Sequence, residues 1–180
     1  MNVYTTCKNL CKNFCTALMA LLLLACADSK SVEIEMTKLD SLSSLVSKNY
    51  PQTALSVREA IQLLKVGDSA TVRGQIGGKG QPFFSSFAGF ILTDIEVLFC
   101  NEIEEDHCET PWDGCCEDTD TLKSSRASVT FVDADGFPIP SGIEGVEGLK
   151  GLDVVTVDGF IAKGSTKNNL LIKATSLYRE

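Results

Sequence analysis

Four cysteines crowd into seventeen residues of this chain: Cys100, Cys108, Cys115 and Cys116. Thiols so placed can pair as two disulfides that staple a loop too polar to build its own core, or deprotonate around a soft metal ion such as zinc. Tetrahedral zinc takes four thiolates, but structural sites usually set cysteines in knuckles ~2 to 4 residues apart. Here the gaps are seven residues, six and none. Two disulfides are therefore the first expectation and a zinc site the alternative. Adjacent cysteines join each other only in a strained ring, so ordinary bridges would send Cys115 and Cys116 separately to Cys100 and Cys108, in an order left open. A thiol-redox role for Cys115 and Cys116 lacks the Cys-x-x-Cys spacing and the βαβ context that such chemistry uses.

The same loop holds nine carboxylates, from Glu102 to Asp120, and no Lys or Arg between residues 101 and 122. Oxygen donors suit calcium, yet no Asp-x-Asp-x-Asp-Gly ladder is present, and Asp133, Asp135 and Gly136 run into Pro138 where an EF-hand needs glycine. That triplet reads as a turn and the acids as a solvated face. His107, the single histidine, reads as solvated beside Cys108, and Trp112 as an apolar plug beneath the loop. With one histidine and no Gly-x-Ser-x-Gly elbow, the usual nucleophile and base constellations are missing, so a non-enzymatic role is expected. Gly77, Gly78, Lys79 and Gly80 lack the spacing of a phosphate-binding loop and predict a turn with Lys79 exposed.

The elements that must position these residues are mostly strands. Ser56 and Glu59 have the spacing of a capping box, and Val57, Ala60, Ile61 and Leu64 share one face, which predicts a helix over 56–65 ended by Gly67 and Asp68. Alternation over 69–77 predicts a half-buried strand, and β-branched or aromatic runs bounded by turn residues predict four more over 87–93, 127–132, 154–161 and 170–177. Gly142, Gly145, Gly148 and Gly151 recur every third residue, each followed by an apolar side chain, which predicts a short helical or 3₁₀ insert between the third and fourth strands. One helix, five strands and such an insert suit the five-stranded, partly open OB-fold-like barrel over 56–180, with a Cys-rich acidic loop at 100–120. A β-sandwich would show about seven strands.

OB-folds bind oligonucleotides or sugars across strands two and three and the loops joining strands one to two and four to five. Those loops carry Lys79, Phe83 and Phe84 and then Lys163, Lys167 and Asn168, a candidate ligand edge for an envelope protein or a glycan. Nucleic acid is disfavoured by charge. Lys8 and Lys12 are the only charges before Cys26, so removing them leaves fourteen basic residues against twenty-four acids, a balance of about −10 that repels phosphate backbones.

The beginning of the chain reads as an export signal. Met1 to Asn13 contains those two lysines and no acid, and Phe14 to Ala25 is almost wholly apolar, yet shorter than the ~20 residues a spanning helix needs. It ends in Leu23, Leu24, Ala25 and Cys26, which resembles the lipobox of bacterial lipoproteins. That resemblance implies cleavage before Cys26, lipidation of its thiol, a discarded leader over 1–25 that takes Cys7, Cys11 and Cys15 with it, and a membrane anchor. By resemblance to enterobacterial lipoprotein sorting, Ala27 rather than aspartate in the second mature position implies the outer membrane, with the domain periplasmic or surface-facing. Residues 26–55 are polar and predict a largely flexible tether, with an equal alternative in which Leu39, Leu42, Leu45 and Val46 make an amphipathic turn or short helix resting on the domain.

From Val57 onward, Arg73 to Gly78, Pro82, Phe83 and above all the segment Cys108-x-x-Pro111-Trp112-Asp113-x-Cys115-Cys116 resemble an uncharacterised family of exported bacterial lipoproteins with an OB-fold-like domain. The resemblance implies a fold and leaves the activity open.

Overall fold

The computed structural model describes residues 39–103 and 108–180. The leader, Cys26, His107 and the first part of the expected tether, residues 26–38, lie outside them. The chain divides at Leu42, and the unit Leu42–Glu180 carries the fold.

Seven strands and a few short helices make up this unit. Two strands of two residues come first, β1 (Val46–Ser47) and β2 (Leu55–Ser56), followed by helix α1 (Val57–Leu63). Strands β3 (Ser69–Ile76) and β4 (Gly89–Thr93) precede a long loop that contains a 3₁₀ turn (Cys100–Glu102) and helix α2 (Thr119–Lys123). Strand β5 (Arg126–Phe131), a second 3₁₀ turn (Val146–Gly148), β6 (Val154–Ile161) and β7 (Leu170–Arg179) complete the order.

Strand β3 pairs antiparallel with both β4 and β6, β4 with β5, and β6 with β7, while β5 and β7 run parallel. The ladder thus returns to its start and forms a closed five-stranded barrel in the order β3-β4-β5-β7-β6. The five main strands are those the residue pattern predicts. Alternation in β3 and β5 sends Ala70, Val72, Ile76, Ala127, Val129 and Phe131 inward, where Phe90, Leu92, Ile172 and Leu177 meet them. Each fully buried side chain of that size contributes ~1.5 to 3 kcal/mol relative to exposure.

Ser56 accepts the Glu59 N–H at 3.2 Å and Glu59 returns the bond to the Ser56 N–H at 2.8 Å, so α1 begins at the expected capping box. Val57 and Ala60 are fully buried in the barrel core. The glycine-rich insert is a single 3₁₀ turn, with Gly145 and Gly148 at φ +82° and +75°. Repeated left-handed residues cannot continue a helix. Its Ile143, Val146 and Leu149 still bury in the core, as the three-residue spacing predicts. The segment leaves Phe131 and Ala88 through a bond from the Ala88 N–H to the Ile139 carbonyl (2.9 Å) and reaches β3 through the Leu152 N–H on the Ile76 carbonyl (2.9 Å).

The expected boundary at residue 56 moves upstream. Leu42 and Leu45 are buried in the barrel core, Val46 pairs with Leu177, and Leu55 pairs with Val72. Residues 42–55 are therefore part of the folded unit, because two leucines three residues apart supply enough apolar area to hold a polar segment against β7. No helix among the described residues is long and apolar enough to cross a membrane.

Candidate metal centre

The cysteine loop leaves the barrel at Asp94 and re-enters at Ser125. Its neck is closed by the Asp94 N–H on the Ser125 carbonyl at 2.7 Å. The buried Asp94 carboxylate accepts the Arg58 N–H at 2.9 Å and the Glu96 N–H at 3.2 Å. Arg58 then donates from Nε to the Ser125 hydroxyl (2.8 Å) and pairs with Glu96 (2.7 Å), tying the first turn of α1 to both ends of the loop.

Inside that neck Phe99 is fully buried and sets the position of Cys100 next to it. The Cys100 N–H donates to the Asp113 carbonyl at 2.9 Å and the Asn101 N–H to the Pro111 carbonyl at 3.0 Å. These two bonds lay the start of the loop beside the Pro-Trp-Asp segment and so bring Cys100 to Cys115, fifteen residues away. Trp112 holds the segment on the barrel. Its carbonyl accepts the Gly78 N–H at 2.8 Å and its indole N–H donates to the Gly80 carbonyl at 3.1 Å. The indole lies so close to Gly151 that a Cβ there would stand 2.9 Å from the ring. Gly78, at φ +79°, lies equally close to the Thr93 side chain and accepts that approach only without a Cβ.

The sulfurs meet on this frame. Cys100 Sγ lies 3.3 Å from Cys115 Sγ, and Cys115 Sγ lies 3.9 Å from Cys116 Sγ. All three fall within 4.8 Å of one another, one from a buried residue and two from exposed ones. No S–S bond joins these sulfurs, since the shortest of the separations far exceeds the ~2.05 Å of a disulfide bond. It is nearer the S···S edge of a tetrahedral thiolate cage, about 3.8 Å for Zn–S bonds of ~2.3 Å. Cys108 adjoins the group. Its Sγ lies 3.5 Å from the Thr110 hydroxyl, and hydrogen bonding from the Thr110 side chain and backbone, with smaller contributions from Cys100 and Cys115, holds its thiol below the usual range.

Chemically this is an all-sulfur donor set in an acidic surround. Sulfur-only tetrahedral sites select zinc or iron–sulfur clusters over hard cations. Several thiolates so close together repel one another, and a bound cation is what would let them ionise as a set. Helix α2 closes the loop, with Asp118 accepting the Asp120 and Thr121 N–H groups at 3.0 Å each. These bonds, the one from Thr121 foremost, hold its carboxyl below the ordinary range.

The candidate ligand edge is distributed differently. Lys79 is exposed on the glycine turn, as predicted, beside the cysteine loop. Phe83 packs edge-to-face on Phe90, with centroids 6.0 Å apart, and joins the core, while Phe84 stacks on Phe87 at 4.8 Å. Lys163, Lys167 and Asn168 are exposed in the β6–β7 turn. Among the described residues, no hydrogen bond, ion pair or ring contact joins the two sets. Lys167 instead borders an open groove of about 360 Å³ floored by Ile61, Leu64, Ile161 and Leu170. The turn at Asp133 forms as predicted, its carboxylate accepting the Asp135 and Phe137 N–H groups at 3.0 and 2.9 Å.

What residue types alone did not reveal is how the loop docks. The Phe99 wedge and the seating of Trp112 on Gly151 depend on contacts far apart in sequence, and only the short glycine run at 77–80 hinted at a close backbone approach.

No protein-family model matches the chain, and no curated protein matches it. Among solved structures it is similar to a putative aspartyl-tRNA synthetase from Leishmania major Friedlin, at 14% identity over 84% of this chain and 26% of that one, with a TM-score of 0.38. The chain thus spans about a quarter of that protein's length, and a likeness so slight carries no functional argument.

Proposed function

We propose that this chain is a non-enzymatic, lipid-anchored module of the cell envelope, tethered through Cys26, whose binding chemistry resides in a zinc centre formed by Cys100, Cys108, Cys115 and Cys116. The supporting observation is the convergence of three sulfurs within 4.8 Å of one another, with Cys108 alongside. When bound, zinc supplies a redox-inert tetrahedral centre, and the chain's own part is to hold the sulfurs together and give up their protons. The anchor rests on Leu23, Leu24, Ala25 and Cys26.

The test is elemental analysis of the purified processed protein combined with thiol titration before and after chelation. One zinc per chain, with four thiols becoming reactive on chelation, is expected, and the Cys115→Ser/Cys116→Ser double variant should lose the ion. A second reading has one observation in its favour: Cys100 and Cys115 need approach by only about 1.3 Å to bond. A metal-free protein without reactive thiols, its mass short by four hydrogens, would establish two disulfides and end the zinc proposal. Stoichiometric copper or iron in place of zinc would overturn the identity of the ion.

A further inference from the structure

The geometry points to an exchangeable ion: a site that releases its zinc to an external thiol ligand while the barrel stays folded, not a structural staple. This inference rests on the zinc reading above and goes beyond it by assigning the centre a role in metal transfer.

Two sets of observations support it. First, the loop is shaped by bonds that involve no sulfur. The two rungs from Cys100 and Asn101, the seating of Trp112 between Gly78, Gly80 and Gly151, the buried Phe99 and the Asp94–Ser125 neck are backbone and aromatic contacts that bring Cys100 and Cys115 together. The barrel's own core cluster contains none of the four cysteines. Structural zinc sites contribute folding energy because the unloaded chain has no other means of holding its ligands together; this loop has several. Second, Cys115 and Cys116 are exposed while Cys100 is buried, so an incoming ligand can add on the solvent side before the inner sulfur lets go. Stepwise replacement of this kind needs no unfolding.

The exchange balances without redox change. Each Zn–S bond broken here is replaced by one formed to the acceptor's sulfur, and the proton displaced from each acceptor thiol returns to a cysteine of this chain.

The test uses the zinc-loaded processed protein, mixed with a metal-free four-cysteine zinc-finger peptide and, separately, with the chromogenic chelator 4-(2-pyridylazo)resorcinol. Circular dichroism and thermal melting of the loaded and emptied protein are followed in parallel. Release is expected to be orders of magnitude faster than global unfolding, with the melting temperature of the emptied protein close to that of the loaded one. Cys116→Ser should speed release further without altering the melt of the emptied chain. Release no faster than unfolding, or collapse of the barrel on emptying, overturns the inference and leaves the zinc reading standing. Failure to take up stoichiometric zinc at all ends both, and is seen before any exchange is measured.

Discussion

Gly151 and Trp112 form one of the contacts that seat the cysteine loop on the barrel. Any side chain at 151 must displace the indole, since even a Cβ would stand 2.9 Å from it. Gly151→Val should cost ~1 to 3 kcal/mol of stability as an overpacked contact does, shift Trp112 fluorescence to the red and weaken metal retention. Unchanged fluorescence would show that the ring docks elsewhere. Thr110 poses a second question at this scale. Its hydrogen bonds favour the Cys108 thiolate, lowering the folded pKa below that of the unfolded chain. The stabilisation is therefore present above the unfolded pKa and lost as pH falls through the folded one. In the emptied protein Thr110→Val should move the midpoint of the Cys108 alkylation profile to higher pH, and a profile that stays in place would remove the hydroxyl from this role. The count and crowding of the cysteines were legible in the residues. Their state was not, because the distance between Cys100 and Cys115 is set by Phe99, Pro111 and Trp112, which no spacing rule connects.

Among the elements, legibility followed periodicity. Strand β3 declares itself by strict alternation, β5 and β6 by β-branched runs between turns, and α1 by the Ser56–Glu59 pair. Strands β1 and β2 are two residues each, too short to have a period, and form only where β7 and β3 offer a partner. Helix α2 spans five residues among acids and owes its existence to the Asp118 cap, a signal submerged in an acidic run. The α1 cap gives a direct measure of how a local signal contributes to the whole. Ser56→Ala should lower stability by ~0.5 to 2 kcal/mol, read as a fall in the denaturant midpoint with unchanged slope. An effect near zero would mean that burial of Val57 and Ala60 alone secures the helix.

At the scale of the whole molecule the division between an apolar beginning and an acidic remainder was plain in composition, and it carries the proposed anchor. Cys26→Ser should abolish lipid labelling and leave an unprocessed precursor, checked by metabolic labelling with a fatty-acid analogue and by intact mass. Continued processing with release of soluble protein would refute the lipobox reading. The upstream limit of the folded unit was harder to see, because Leu42 and Leu45 stand among polar residues and earn their place only by contact with the barrel.

Closure of the barrel has a further consequence for the lipid-anchored state proposed above, in which copies would share one membrane surface. An open sheet offers its neighbours a row of unsatisfied N–H and C=O groups, and lateral crowding then favours strand addition from one copy to the next. Here each of β3, β4, β5, β6 and β7 has a barrel partner on both sides, and the two strands outside the ring are only two residues long. Among the described residues, neighbouring copies would therefore meet only short edges, and the proposed tethering would raise local concentration with little added tendency to strand addition.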